Sequence, residues 1–144
     1  MGAVYSRFYV HLVWTTKDRR RVLDPSRARR VHGLLDRLCR DRDCLALAVG
    51  GVEDHVHVLV GLRPALAVSD LVRELKVVTS PFIARRLGVD GFAWQAGYGV
   101  FSLREGDLEV VAHYIRNQPL HHATGSEVAE WERSAPPATS AQRR

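Results

Sequence analysis

The stretch CLALAVGGVEDHVHVLVGL, residues 44–62, decides the fold. Apolar residues dominate both of its halves, and Gly50 and Gly51 stand just before the middle. This composition predicts one strand over residues 44–52, which ends or bulges at the glycines. The alternation over residues 55–62 predicts a second strand. Because the link between the two strands is short, they should form an antiparallel hairpin.

A strand and a helix are predicted ahead of this hairpin. Residues 7–16 are rich in β-branched and aromatic side chains, which favour a strand. Asp24 and Pro25 then make a good helix start, with aspartate as N-cap and proline at the first helical position. Apolar residues recur at helical spacing as far as about Arg42.

Two helices and one strand are predicted after the hairpin. Ser69 can cap the first helix, Pro81 can kink or break it, and Gly88 can end it. Residues 98–103 favour a strand. The last helix is predicted over residues 107–118, because Pro119 discourages its continuation.

The predicted order is β-α-β-β-α-β-α. It indicates an α+β, ferredoxin-like or RNA-recognition-like sandwich with an antiparallel four-stranded sheet and an additional C-terminal helix. Residues 1–124 should form this domain. Residues 125–144 are polar and contain the run SAPPATS, which favours a short helix followed by a disordered tail.

The bulk properties favour a cytoplasmic protein with a polyanionic partner. No apolar run approaches the roughly 20 residues that span a bilayer, and residues 1–6 are too short and polar for a signal peptide. Cys39 and Cys44 fit neither a CxxC nor a zinc spacing, so reduced packing residues are expected. The net charge of +5 favours binding to polyanions.

Seven cations crowd the turn and helix start that follow the first strand, with only Asp18 and Asp24 among them. They are Lys17, Arg19, Arg20, Arg21, Arg27, Arg29 and Arg30. Phosphate contact is favoured over a merely solvated surface for this basic cluster.

His55 and His57 form the first group that could do chemistry. Alternation along a strand sends both imidazoles to one face and Val56, Val58 and Val60 to the other. Two neighbouring imidazoles make a natural metal clamp. Alone, such a pair is more often half exposed than functional.

Tyr114 and Gln118 form the second group. Four residues apart on a helix, they share a face beside the core stripe. Each is unremarkable by itself. Two imidazoles and one amide oxygen can, however, fill three positions around Mg²⁺ or Mn²⁺, and water and a phosphate oxygen can take the rest. The tyrosine would then lie next to the bound phosphate.

The segments DHVHVLV, residues 54–60, and YIRNQ, residues 114–118, resemble the HUH-type single-tyrosine transposases of small insertion sequences. These are the TnpA-like enzymes and the related REP-associated tyrosine transposases. The resemblance covers residues 5–122 and includes HLVWTTK at 11–17, LKVVTS at 75–80 and WQAGYGVFS at 94–102. It implies that Tyr114 is the nucleophile and that His55, His57 and Gln118 bind the metal.

The resemblance also implies an activity. Such an enzyme would cleave and rejoin single-stranded DNA at hairpin-bearing element ends through a 5′-phosphotyrosine, as a homodimer acting at the nucleoid of a prokaryotic cell. The basic cluster would contact the DNA. The sequence leaves open whether His121 and His122 approach the site, and it favours a turn role for Asp54.

Two alternatives remain. A domesticated relative would nick host DNA with the same residues. A non-catalytic module of RNA-recognition type would carry aromatic residues on its central strands, where this chain has His55 and His57.

Overall fold

The computed structural model describes residues 2–134 and confirms the predicted α+β fold class. The elements are β1 (Tyr9–Thr15), α1 (Pro25–Asp41), β2 (Leu45–Val52), β3 (His55–Gly61), α2 (Val68–Pro81), β4 (Gly99–Leu103), α3 (Leu108–Arg116) and α4 (Gln118–Thr124). Within 125–144, the described part contains a 3₁₀ turn at Ala129–Glu132, and the expected tail from 135 lies outside the described residues. No helix of the described part combines the length and apolar character needed to cross a membrane.

The four strands form one antiparallel sheet in the order β2-β3-β1-β4. In the central pair, His55 lies opposite Thr15 and His57 opposite Val13. The outer strands β2 and β4 each pair on one side only within the described residues. The histidine-bearing strand is therefore held on both sides in the interior of the sheet.

The two faces of the sheet carry different residues. The face that packs on α1 and α2 bears the main apolar core, and all of its side chains from the central strands are buried. They are Val10, Leu12, Trp14, Val56, Val58 and Val60. The prediction that the three valines point away from the histidines is thus confirmed. The opposite face holds a smaller core around Leu59 and Ile115, covered by α3.

The start of α1 is as predicted. Asp24 caps the helix by accepting a hydrogen bond from the backbone N–H of Arg27 at 2.9 Å, and Pro25 is the first helical residue. Cys39 and Cys44 are buried free thiols that pack in the main core.

The helix α2 corrects one expectation and decides between two others. It begins at Val68 with Ala67 as N-cap, so Ser69 lies inside the first turn and does not cap the helix. Of the kink or break left open for Pro81, the helical backbone shows no break. Because proline lacks a backbone N–H, the hydrogen-bond pattern widens, and the chain continues in a π-helical turn over Phe82–Arg86.

The predicted last helix divides at Asn117. α3 ends at Arg116, and a new helix begins at Gln118 with Pro119 in its first turn. The prediction of one helix ending at Gln118 was therefore wrong. Proline is favourable in a first turn, since the N–H it lacks has no helical partner there. Tyr114 and Gln118 consequently lie on two different helices.

The sequence predicts that β2 ends or bulges at the glycine pair, but the structure shows neither. The register shift lies between Ala46 and Ala48, and β2 continues to Val52. Gly50 instead permits a close approach of α3, because a Cβ there would lie 2.1 Å from the carbonyl oxygen of Ile115.

We predict that Gly50→Ala destabilises the protein by about 1–3 kcal/mol, the usual cost of overpacking, because α3 must move off the sheet. The matched control is Gly33→Ala in α1, where an added Cβ meets no atom within 4 Å. That variant should gain about 0.5–1 kcal/mol. Urea unfolding measures both, and equal midpoints for Gly50→Ala and the unmodified protein would contradict this packing.

Candidate active site

His55 and His57 lie on the sheet face away from the main core, and both are buried. Their ring centroids are 5.0 Å apart and the rings are nearly perpendicular. The strand geometry therefore brings the two imidazoles together as predicted.

A neighbouring side chain orients each of these rings. Nδ1 of His55 lies 2.7 Å from Oδ1 of Asp54, and Nδ1 of His57 lies 2.7 Å from Nε2 of the buried His11. Both rings are thereby turned so that Nε2 faces the same space. Partners of this kind fix ring orientation in metal sites. Asp54 thus orients His55, in addition to the turn role expected from the sequence. His11 was not predicted to be a site residue, although it is the first residue of the segment HLVWTTK.

Gln118 reaches this space from α4. Its Oε1 lies 3.0 Å from Nε2 of His55 and 3.0 Å from Nε2 of His122. The side chain is fully buried, and its Nε2 has no hydrogen-bond partner among the described residues. His122 thus approaches the site. His121 stacks on Tyr114 instead, with ring centroids 4.6 Å apart.

Tyr114 presents its hydroxyl to the same space from α3. The hydroxyl donates to Oε1 of Glu132 at 2.5 Å and accepts a hydrogen bond from the N–H of Val128 at 2.8 Å. Burial, together with the bond to Glu132, raises the pKa of Tyr114 to about 12. The hydroxyl is therefore protonated at neutral pH.

Glu132 connects all of these groups, although no motif surrounds it in the sequence. Its Oε2 lies 2.9 Å from Nε2 of His57 and 3.2 Å from Nε2 of His55. Its Oε1, which accepts from Tyr114, is also 3.3 Å from Nε2 of His122. One carboxylate from the turn at Ala129–Glu132 thus contacts three imidazoles and a phenol.

The charges within the cluster follow from these contacts. Burial alone would raise the pKa of Glu132. Hydrogen bonds with His55 and His57 outweigh this effect and hold that pKa well below its usual range, so the carboxylate is ionised. Burial opposes protonation of His55, but hydrogen bonds to Asp54, Glu132 and Gln118 raise its pKa to about 9. Burial lowers the pKa of His57.

Two overlapping sets of side chains could hold a metal ion. The predicted set has Nε2 of His55, Nε2 of His57 and Oε1 of Gln118. A second set is His55, His122 and Glu132, whose ligand atoms lie within 4.8 Å of one another. Imidazole nitrogen and amide or carboxylate oxygen are ligands that Mn²⁺ accepts, and Mg²⁺ prefers the oxygens. The donor chemistry therefore fits a divalent cation.

The basic cluster separates into three groups. Arg19, Arg21 and Arg29 line a cavity of about 690 Å³ beside His55. The side chain of Arg27 is occupied by the carbonyl oxygens of Leu87 and Val22. The remaining three do not line this cavity: they are Lys17, Arg20 and Arg30, of which Arg30 lies over the ring of Phe82.

Arg116, which the basic cluster does not include, also lines the cavity. Trp94, the first residue of the segment WQAGYGVFS, is buried in the main core, where its indole N–H donates to Oγ1 of Thr79 at 2.9 Å.

Comparison with known proteins decides the family. The family described as "Transposase IS200 like" matches residues 4–118. This chain belongs to the IS200-like transposase family. The match includes every residue of the predicted catalytic set, from His55 to Gln118.

Relatives of this IS200-like transposase agree with that assignment. It is 27% identical to the ISDra2 transposase TnpA of Deinococcus radiodurans over 124 residues, which covers 81% of this chain and 87% of that protein. A solved structure described as a transposase from Deinococcus radiodurans R1 superposes with a TM-score of 0.63 at 27% identity, covering 82% and 96% of the two chains.

A more distant structure shares the fold. It is a REP-associated tyrosine transposase bound to a REP hairpin, with a TM-score of 0.61 and 19% identity. The superposition covers 100% of this IS200-like transposase and 96% of that chain.

Proposed function

We propose that this IS200-like transposase cleaves and rejoins single-stranded DNA at hairpin-bearing element ends, through a 5′-phosphotyrosine on Tyr114. The observation that carries the proposal is the position of the Glu132 carboxylate, which contacts the Tyr114 hydroxyl and the imidazoles of His55 and His57 at once. A phosphodiester is likewise an anion whose oxygens are close together. In the same place it would meet the nucleophile and the metal ligands together.

The reaction is a transesterification. The oxygen of Tyr114 attacks phosphorus and the bond from phosphorus to the 3′-oxygen breaks. The phosphate then joins the tyrosine to the 5′-oxygen of the downstream fragment, and the upstream fragment leaves with a 3′-hydroxyl. The phenol loses its proton, and the departing 3′-oxygen gains one. A second 3′-hydroxyl reverses these changes and joins a new strand. No external energy source is needed, because the number of phosphoester bonds is unchanged.

We assign His55, His57 and Gln118 as the residues that would hold Mg²⁺ or Mn²⁺. A divalent cation bound there would polarise the scissile phosphate and favour departure of the 3′-oxygen. Asp54 and His11 orient the two imidazoles from behind. The ordinary pKa of a tyrosine is ~10, so the raised pKa of Tyr114 makes a cationic surrounding necessary for attack.

The carboxylate of Glu132 and a DNA phosphate cannot occupy the same place. The turn at Ala129–Glu132 therefore has to move when the scissile strand enters. This turn contacts the site through Glu132 and through the ring of Trp131. The Trp131 ring lies edge-on to the ring of Tyr114, with 4.9 Å between the ring centroids.

A hairpin substrate is supported by the structure of the REP-associated tyrosine transposase, which was solved bound to a REP hairpin. The positive net charge suits a polyanion. A non-catalytic RNA-recognition module is disfavoured, because the central-strand positions on this face hold His11, His55 and His57, buried beneath α3 and α4. A domesticated host nuclease would use the same site, so the proposal covers the chemistry in both cases.

Tyr114→Phe tests the chemistry. The variant keeps the ring and loses the attacking oxygen, so it should fold, bind a labelled hairpin oligonucleotide and form no denaturant-resistant adduct. The unmodified protein should form an adduct that retains a label placed on the fragment downstream of the break, and it should form none with the same sequence as perfect duplex. Tyr5→Phe, Tyr9→Phe and Tyr98→Phe are the controls and should retain the adduct. An adduct formed by Tyr114→Phe would refute the proposed nucleophile.

The metal assignment is tested by removing both strand imidazoles. His55→Ala combined with His57→Ala should abolish Mn²⁺ binding measured by calorimetry, because two of three ligands are lost. His113→Ala is the matched control, since this histidine is exposed on α3 and makes no contact with the site. Undiminished Mn²⁺ affinity in the double variant would contradict the assignment.

We also propose a homodimer, because β2 and β4 leave open edges within the described part of the chain and strand pairing removes such edges. Light scattering should give twice the chain mass of 16.2 kDa. A mass of one chain in a preparation that is fully active in strand transfer would refute it.

A further inference from the structure

A cavity of about 690 Å³ adjoins the reaction centre and has no role in the chemistry described above. It lies between α1, the β2–β3 turn and α4, and its walls include His55 and His122. A strand whose phosphate faces Tyr114 would therefore continue directly into it. Its volume falls within the roughly 300–1,000 Å³ of typical ligand pockets, which is room for a nucleotide.

The cavity is lined by more cations than anions. Four arginines line it together with two carboxylates, Glu53 and Asp54. Arg21 is paired with Glu53, and Arg19 lies 3.8 Å from Asp54. Among the described residues, neither Arg29 nor Arg116 has a carboxylate partner; Arg116 donates only to the carbonyl oxygen of Leu47 at 2.9 Å. Two uncompensated guanidinium groups are thus available to an anion.

Part of the remaining lining is apolar. It includes Leu23, Ala28 and Val49, and the ring of His32 lies among them. Burial lowers the pKa of His32 to about 4, so this imidazole is neutral at pH 7. Its Nε2 is buried and has no hydrogen-bond partner within residues 2–134. A neutral, partly apolar surface beside two free cations matches a nucleotide, in which a flat uncharged base is joined to an anionic phosphate.

We propose that this cavity binds one unpaired nucleotide that adjoins the scissile phosphate, with Arg29 and Arg116 on its phosphate and His32 against its base. This inference rests on the proposed DNA cleavage and adds to it a residue that contacts a base of the substrate. The base must be unpaired, because a base inside a duplex cannot enter a concave site. His32 therefore makes cleavage depend on the presence of a base at this nucleotide.

The test uses hairpin oligonucleotides in which each nucleotide flanking the break is replaced in turn by an abasic residue. In the unmodified protein, one abasic position should slow adduct formation at least about fivefold, the lower end of what a stacked base contributes. In His32→Ala, the intact and abasic substrates should react at the same rate at that position. Thermal melting of His32→Ala verifies that the variant is folded.

Arginine variants provide a second measurement that does not depend on His32. Arg29→Ala and Arg116→Ala should each weaken DNA binding and reduce the slope of log affinity against log salt by about one. The matched control is Arg37→Ala, a residue of the same helix α1 that lies beside Asp41, outside both the basic cluster and the cavity. It should leave both the affinity and the difference between intact and abasic hairpins unchanged.

The outcomes separate this inference from the proposed function. The difference between intact and abasic hairpins, here called the abasic penalty, is also measured as a difference in their binding affinity for Tyr114→Phe. This measurement does not require an adduct to form. Loss of the adduct alone would count against the phosphotyrosine mechanism and not against the cavity. Equal abasic penalties in the unmodified protein and His32→Ala, or an unchanged salt slope in Arg29→Ala, would overturn the inference. Tight binding of a free deoxynucleoside monophosphate without any abasic penalty would show a nucleotide site unrelated to the cleaved strand.

Discussion

The buried row of imidazoles on one face of the sheet is the constraint on which the rest of this structure depends. His11, His55 and His57 are almost wholly removed from water, and buried polar groups need hydrogen-bond partners. Nε2 of His11 and Nδ1 of His57 are hydrogen-bond partners. The remaining ring nitrogens of His55 and His57 lie against Asp54, Gln118 and Glu132. The break at Asn117 and the return of the chain to Ala129–Glu132 supply the last two.

The site brings together ionisable groups whose pKa values are shifted in different directions. The ionised Glu132 and the protonated Tyr114 hydroxyl face two imidazoles whose pKa values move in opposite directions, upward for His55 and downward for His57. An anion is therefore stabilised at this point by the protein itself. In the proposed reaction a phosphate takes the place of the carboxylate beside the same imidazoles. Because the pKa of Tyr114 is raised, loss of the phenolic proton would depend on the divalent cation held there.

Local patterns in the sequence were sufficient for most of the fold. Alternation placed the valines of β3 against the helices and the histidines on the other face, and Asp24 with Pro25 marked the start of α1. The second half of the site was harder to predict. Pro119 predicts the end of a helix, whereas in the structure it lies in the first turn of α4. Glu132 contacts His57 across 75 positions of the chain, and no motif surrounds it. The basic cluster could not be resolved from sequence either, because the faces of α1 that Arg27 and Arg29 occupy depend on tertiary packing. The roles assigned to the site residues remain predictions.

Mass spectrometry of the adduct can show whether Tyr114 becomes covalently joined to DNA. Trypsin would release residues 105–116, a peptide in which Tyr114 is the only tyrosine. After nuclease digestion of the bound DNA, we expect fragment ions that place a nucleotide on Tyr114 through its 5′-phosphate. A nucleotide on any other residue, or a link through a 3′-phosphate, would contradict this expectation.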